Sequence, residues 1–383
     1  LPPRKVALAD LQSWAEKYLQ PTDHVVLEAT TNAWYVHDLL EPLVERVVVA
    51  HPPQVKLIAA AMVKTDKKDT MTLARLLAAN LIPTVWVPPV HVRDLRALLA
   101  HRRRLVSQQT QCKNRLQSIL HRNHILPPAS GKLYHPNQRD WWLGLELAAG
   151  DKLRVRQELV MLDQLDTLID ETSDELYRLS LSDPWREQLP WLIQLPGIGV
   201  MTAMVILSAV GDIQRFPSAK KLVGYAGLGA RIHASGLTFH TGGITKQGRR
   251  ELRAALVETA WVTVRVDPGW REQFERLEQR IGRRKAIVAI ARKLLVVAWH
   301  LLYHRRVDRQ ADPERVVRYF LAWGRQAKAF TRLGLKASEF ARQQLDILGI
   351  GQDLPTLITF GVTYRLPPSS LPLPAEAHPP ACP

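Results

Sequence analysis

From Val92 to Ile125, and again from Leu153 to Leu176, apolar residues return every three or four positions. The first stretch carries Leu95, Leu98, Leu105, Cys112, Leu116 and Ile119, and the second Leu159, Leu162, Leu165 and Ile169. That period is helical. Pro127-Pro128 ends the first stretch, because proline lacks an amide donor and its ring disfavours helix in the residue before it. Two long helices in succession predict an antiparallel pair, either packed within one subunit or dimerising as a coiled coil.

The strands must then lie elsewhere. His24-Val25-Val26-Leu27-Glu28 reads as a buried strand, and Val47-Val48-Val49-Ala50 as a second, stopped by Pro52-Pro53. Between them Val36, Leu39, Leu40 and Leu43 keep helical spacing; afterwards Val55, Ile58 and Met62 do so, and Thr65 is placed to cap a helix carrying Leu73, Leu76 and Leu77. Alternating strands and helices imply a parallel or mixed sheet. The chain therefore divides into an α/β region at 1–89, a helical or coiled-coil region at 90–180, a mostly helical domain at 185–310 and a tail at 311–383. Helix is read in the tail at 338–348, and its Pro-rich end from Leu366 reads as disordered.

Lys and Arg total 52 against 36 Asp and Glu, so the formal charge is 52 − 36 = +16. That excess points to a polyanionic partner, nucleic acid before anionic membrane. No uninterrupted apolar run reaches the roughly 18 residues of a membrane span, and the opening Leu1-Pro2-Pro3-Arg4-Lys5 has no apolar signal region. The two cysteines, Cys112 and Cys382, build no disulfide framework. A cytoplasmic, reducing setting is expected.

Three constellations bear on chemistry. Glu28 closes a strand, and the carboxyl ends of strands line the crevice of an α/β sheet. Asp66 and Asp69, three apart, share one helical face. Three converging carboxylates need a cation, and Mg2+ prefers carboxylate oxygen; the plainer reading is that the two aspartates suit a helix start. Leu195-Pro196-Gly197-Ile198-Gly199 before a helix is similar to the turn of helix-hairpin-helix DNA-binding modules, where Gly197 and Gly199 allow a tight turn and amides can hold a phosphate; an ordinary helix–helix turn is the alternative. Ser235-Gly236 lies in a Gly-rich segment read as a flexible loop, which can expose a nucleophilic hydroxyl or simply make a turn. Downstream, Lys246, Arg249, Arg250 and Arg253 begin a helix and could hold a phosphate there, or form a solvated face.

Jointly these stretches, with Lys64-Thr65-Asp66-Lys67-Lys68-Asp69, Ala226-Gly227-Leu228 and Ile244-Thr245-Lys246-Gln247-Gly248-Arg249, resemble the DEDD insertion-sequence transposases related to the Piv invertase, the bridge-RNA-guided recombinases. The resemblance spans roughly residues 20 to 305. It implies a RuvC-like (RNase H-like) N-terminal domain, a coiled-coil insertion and a helical transposase domain. It implies Mg2+ held by four acidic residues, of which Glu28, Asp66 and Asp69 match the second, third and fourth, and Ser235 as nucleophile. It also implies DNA as substrate, a guide RNA and a homo-oligomer, dimer or tetramer. The family's first acidic residue lies on a strand upstream of these motifs. This chain opens past it, so the RuvC-like domain is expected to be N-terminally incomplete. Rival readings are a nucleic-acid-binding remnant without catalysis and a RuvC-like structure-selective nuclease.

Overall fold

A computed structural model describes residues 4–58, 66–128, 132–235, 238–359 and 361–372. The chain forms two compact units, Leu1–Pro89 and Val90–Pro383.

The first unit opens with α1 (Leu11–Tyr18), followed by β1 (His24–Glu28), α2 (Ala33–Leu40), β2 (Arg46–Ala50), α3 (Pro52–Ile58) and α4 (Asp66–Ala78). The two strands pair in parallel, Val26 beside Val48 and Glu28 beside Ala50. The far edge of β2 is covered: Val85 N donates to Val49 O at 2.7 Å and His51 N to Pro83 O at 2.8 Å, with an antiparallel bridge between Ala50 and Thr84. Val48, Val49 and Ala50 are buried, as expected of a β-branched run in a parallel pair. Among the described residues the sheet is small and helix predominates. Thr65, read as a cap, and Met62 lie outside the described residues.

The second unit is built on α5 (Val90–Arg122) and, after the short α6 (Arg139–Leu143), α7 (Ala149–Leu179). They run antiparallel: Arg102 bonds Ser173, Gln109 bonds Asp166, Arg115 bonds Glu158 and Arg122 bonds Asp151, one number falling as the other rises. Cys112, Leu116, Ile119 and Leu120 pack on Val155, Leu159 and Leu162, closed off by Trp142. The apolar spacing thus serves a pairing within one chain. A second stripe on α7, Leu153, Val160, Met161 and Leu168, remains exposed.

There follow α8 (Trp185–Ile193), α9 (Val200–Val210), α10 (Ala219–Tyr225), the antiparallel strands β3 (Ala230–Ser235) and β4 (Thr238–Ile244), and helices α11 (Arg250–Val266), α12 (Pro268–Ile281) and α13 (Arg283–His304). Among the described helices α13 alone is long and apolar enough to cross a membrane by length and composition. It serves as a core helix here, with Ile290, Leu294, Leu295 and Ala298 wholly buried.

Beyond it lie α14 (Pro313–Gln326), α15 (Ala329–Arg332), α16 (Ala337–Leu348) and the hairpin β5 (Thr356–Thr359) and β6 (Val362–Arg365). These elements are stitched to earlier ones: Trp323 Nε1 donates to Ser180 Oγ at 2.9 Å, and Arg332 pairs with Asp174 at 2.6 Å. Buried Arg342 donates to the carbonyls of Gly351 and Leu354 at 2.6 Å and of Pro367 at 2.8 Å. The end of the Pro-rich stretch, 373–383, lies outside the described residues.

Candidate functional site

In the first unit, Glu28 is the exposed last residue of β1, and Ala29 N extends the pairing to Ala50 O at 3.2 Å. Asp66 and Asp69 occupy the first turn of α4, which packs against β1. Two of the three acidic positions therefore ride on a helix laid beside the strand that ends in the third. Asp69 is half-buried; the Asp66 side chain lies outside the described residues. Neither Glu28 nor Asp69 enters an ion pair among the described residues, and their carboxylate oxygens are of the kind that hard divalent ions take.

A second acidic group escaped the sequence reading. His37 and Asp38 on α2 and Glu41 just past its end bring one ligand atom each within 4.8 Å of one another, and His37 Nδ1 lies 3.3 Å from Asp38 Oδ1 and 4.0 Å from Glu41 Oε2. Glu41 follows Asp38 by three and His37 by four, the spacings that bring helical side chains together. The His37 ring is buried, and its hydrogen-bond contact with Asp38 at 3.3 Å accounts for the pairing without an ion.

In the second unit the Gly-rich segment is an antiparallel hairpin, which replaces the flexible loop expected there. Its base is locked. Lys246 N donates to Gly227 O at 3.1 Å, Thr245 N to Gly229 O at 2.8 Å and Arg249 N to Tyr225 O at 3.1 Å. Gly248 has φ +116°, and a Cβ there would lie 2.1 Å from Tyr225 O; at Gly227, φ +69°, it would lie 2.4 Å from Gln247 O. Only glycine permits this approach of two backbones.

Ser235 sits at the other end. It is exposed and closes β3 opposite Thr238. Five strand steps separate it from Ala230, about 16 Å at the rise of an extended chain. The hairpin thus holds Ser235 well away from Arg249 and Arg253, which cluster at its base. Arg253 Nη1 donates to Ala226 O at 3.0 Å and Arg249 Nε to Tyr225 Oη at 3.0 Å. Lys246 and Arg250 are exposed.

The Leu195–Gly199 turn is also positioned by packing. Gly197 has φ +83°, and a Cβ would meet Thr263 Oγ1 at 2.5 Å; Thr263 Oγ1 donates to Pro196 O at 2.8 Å. Gly197 is thus a close-packing residue against α11. Gly199 is the exposed cap of α9, with open space where a side chain would go.

Around Tyr225 the fold gathers arginines that no sequence spacing links. Arg96 of α5 donates to Ser208 O at 2.7 Å and Ala209 O at 3.2 Å, and Arg215 to Val210 O at 2.8 Å and Ala209 O at 3.1 Å. Both satisfy carbonyls at the negative end of α9. The Arg215 guanidinium also lies 4.6 Å from the centre of the Tyr225 ring. Burial alone would raise the Tyr225 phenol, but Arg249 and Arg215 outweigh it and the net shift is downward.

Two family models match the chain. One describes the transposase IS116/IS110/IS902 family and covers residues 190–275; the other, a transposase model of the IS110 DEDD type, covers residues 2–125. The pilin gene-inverting protein of Moraxella bovis is 30% identical over 313 residues, covering 78% of this chain and 86% of its own length. The chain belongs to the IS110 transposase family. Two further relatives are a putative transposase of Sinorhizobium fredii, 28% identical over 72% of this chain and 76% of its own, and the transposase for insertion sequence element IS1111A of Coxiella burnetii, 27% identical over 64% and 68%. The two IS110-type matches fall on the two parts that carry the acidic positions and the hairpin base, with the α7 helix between them.

Proposed function

We propose that this IS110-family protein is a DNA transposase or site-specific recombinase that moves an insertion sequence by Mg2+-dependent transesterification with Ser235 as nucleophile. A guide RNA selects the target by base pairing. The observation that carries the reading is the placement of Ser235, an exposed hydroxyl at the tip of a hairpin with a rigid base, in a chain whose Glu28, Asp66 and Asp69 lie on one strand end and the helix beside it. Ser235 Oγ attacks phosphorus and displaces one strand's bridging oxygen, which leaves with a proton. One phosphodiester is exchanged for another, so rejoining needs no external energy. A divalent cation held by Glu28, Asp66 and Asp69 would supply charge neutralisation on the phosphoryl oxygens. Gly199, Lys246 and Arg250, exposed in the same unit as Ser235, hold neighbouring backbone phosphates. Arg249 and Arg253 fix the base from which the serine projects.

Incubation with insertion-end DNA, guide RNA and Mg2+ tests this. Wild type should yield a covalent protein–DNA adduct. Ser235→Ala and Asp69→Asn should each abolish it while changing DNA affinity less than threefold. Cleaved DNA from Ser235→Ala would instead identify a metal-dependent nuclease.

A further inference from the structure

A cavity of about 600 Å3 opens between α5, α9 and α11, wholly within the second unit. Its floor is apolar, with Leu99, Met201 and Val205. Its rim is basic, with Arg96, Arg102, Arg103 and Arg249 set against Glu251 and Glu258. An apolar floor with a few convergent polar groups is the usual form of a small-ligand pocket, and the volume falls inside the roughly 300–1,000 Å3 such pockets span. A basic rim over an apolar floor suits a ligand with an anionic group and an apolar or aromatic face.

The rim is organised by contacts that hold its arginines in place. Arg103 Nη1 pairs with Glu251 Oε1 at 2.5 Å, and Arg249 is steadied through Nε, the nitrogen that meets the Tyr225 hydroxyl. A guanidinium anchored through Nε can present its Nη pair as a fork to a phosphate. Arg249 is also the N-cap of the 17-residue α11, whose positive end therefore faces the same rim. Burial, with Arg249 and Arg215 close by, draws the Arg96 guanidinium down to about 10.

We propose that this cavity receives one unpaired nucleotide of the nucleic acid on which the protein acts, its base on Leu99, Met201 and Val205 and its phosphate on Arg103 and Arg249. The inference rests on the proposed nucleic-acid function and assigns it a base-holding pocket separate from the serine hairpin. Bases taken out of a stack are commonly held on apolar surfaces and guanidinium planes, and both are present here.

The experiment uses the full chain with single-stranded oligonucleotides carrying one 2-aminopurine, in deoxyribose and ribose versions, reading anisotropy for binding and 2-aminopurine emission for the base's surroundings. Wild type should change the emission at least twofold on binding. Arg103→Gln with Arg249→Gln should weaken binding tenfold or more. Ala255→Phe and Ala100→Phe, which fill the cavity from two different helices, should abolish the emission change with affinity within threefold of wild type; matched circular dichroism and melting confirm that they fold. A response with only one sugar assigns the nucleotide to DNA or to RNA. An emission change that survives both filling variants overturns the pocket. Binding with no emission change in wild type also overturns it while sparing the proposed function, whereas no binding at all removes both.

Discussion

Gly248→Ala should be among the most damaging single-methyl additions in the second unit. The residue sits at φ +116°, where an L side chain is strained by about 1–3 kcal/mol. The new Cβ would stand 2.1 Å from Tyr225 O and 3.0 Å from its carbon, both backbone atoms. The backbone at Gly248 cannot retreat without breaking the Arg249 N to Tyr225 O bond, 3.1 Å long, worth about 1 kcal/mol, and leaving the carbonyl half-buried without its donor. Together these give about 3–5 kcal/mol. Gly243→Ala is the control, with ordinary φ and open space around its Cβ direction, and should stay within about 0.5 kcal/mol of wild type. Urea unfolding followed by tryptophan fluorescence gives the difference, and hydrogen exchange at the Thr245, Lys246 and Arg249 amides shows where it falls. The reasoning fails if the two variants unfold within 0.5 kcal/mol of each other with those amides equally protected.

Arg342→Met removes a buried cation and strands three carbonyls bonded at 2.6–2.8 Å; it should cost about 3–5 kcal/mol and open the 350–367 segment to limited proteolysis. Asp346 accepts from Ser369 Oγ at 2.7 Å and from Ser370 Oγ at 2.8 Å. Burial would raise its carboxyl, but these serines and Arg342 outweigh it and hold the carboxyl below its ordinary 3.8. Its folded value being the lower one, its contribution is present above 3.8 and is lost as pH falls through the depressed value. The stability gap between wild type and Asp346→Asn, measured by melting across pH 7 to 2, should therefore close on acidification. Val160→Glu with Leu168→Glu, on the exposed face of α7, should lower the sedimentation coefficient of any oligomer while leaving the monomer's melting within about 1 kcal/mol of wild type.

What was legible in the sequence was periodic. The α5 and α7 spacing led directly to an antiparallel pair, because a helical stripe must find an apolar partner and the next long stripe in the chain offers one. The strands ending at Glu28 and Ala50 were equally plain as β-branched runs. The hairpin was hidden because Ala230–Ile244 lacks an unbroken apolar alternation, and its glycines looked like loop residues. Gly227 and Gly248 in fact serve backbone approach at the base, and the strands between them carry few apolar side chains. Ser235 and Arg249 are only fourteen positions apart, but the sequence carries no sign that two strands place one at the tip and the other at the base. Arg96 and Arg215 carried no signal beside Tyr225, since Arg96 joins the other two only when α5 is laid across the end of α9.

The hairpin that ends in Ser235 is mechanically a cantilever. It is clamped at one end by glycine-tight backbone contacts and carries its hydroxyl at the other. Over about 16 Å of extended chain, a tilt of about 10° at the clamp displaces the tip by about 3 Å. Misplacement of a reacting group by about 1 Å can cost a hundredfold in rate. A two-stranded ribbon is only marginally stable alone, so the clamp sets the direction of the serine and not its final position. That last alignment has to come from whatever lies against the ribbon, and substitutions in its strands should change the fidelity of the joint more than the affinity for the substrate.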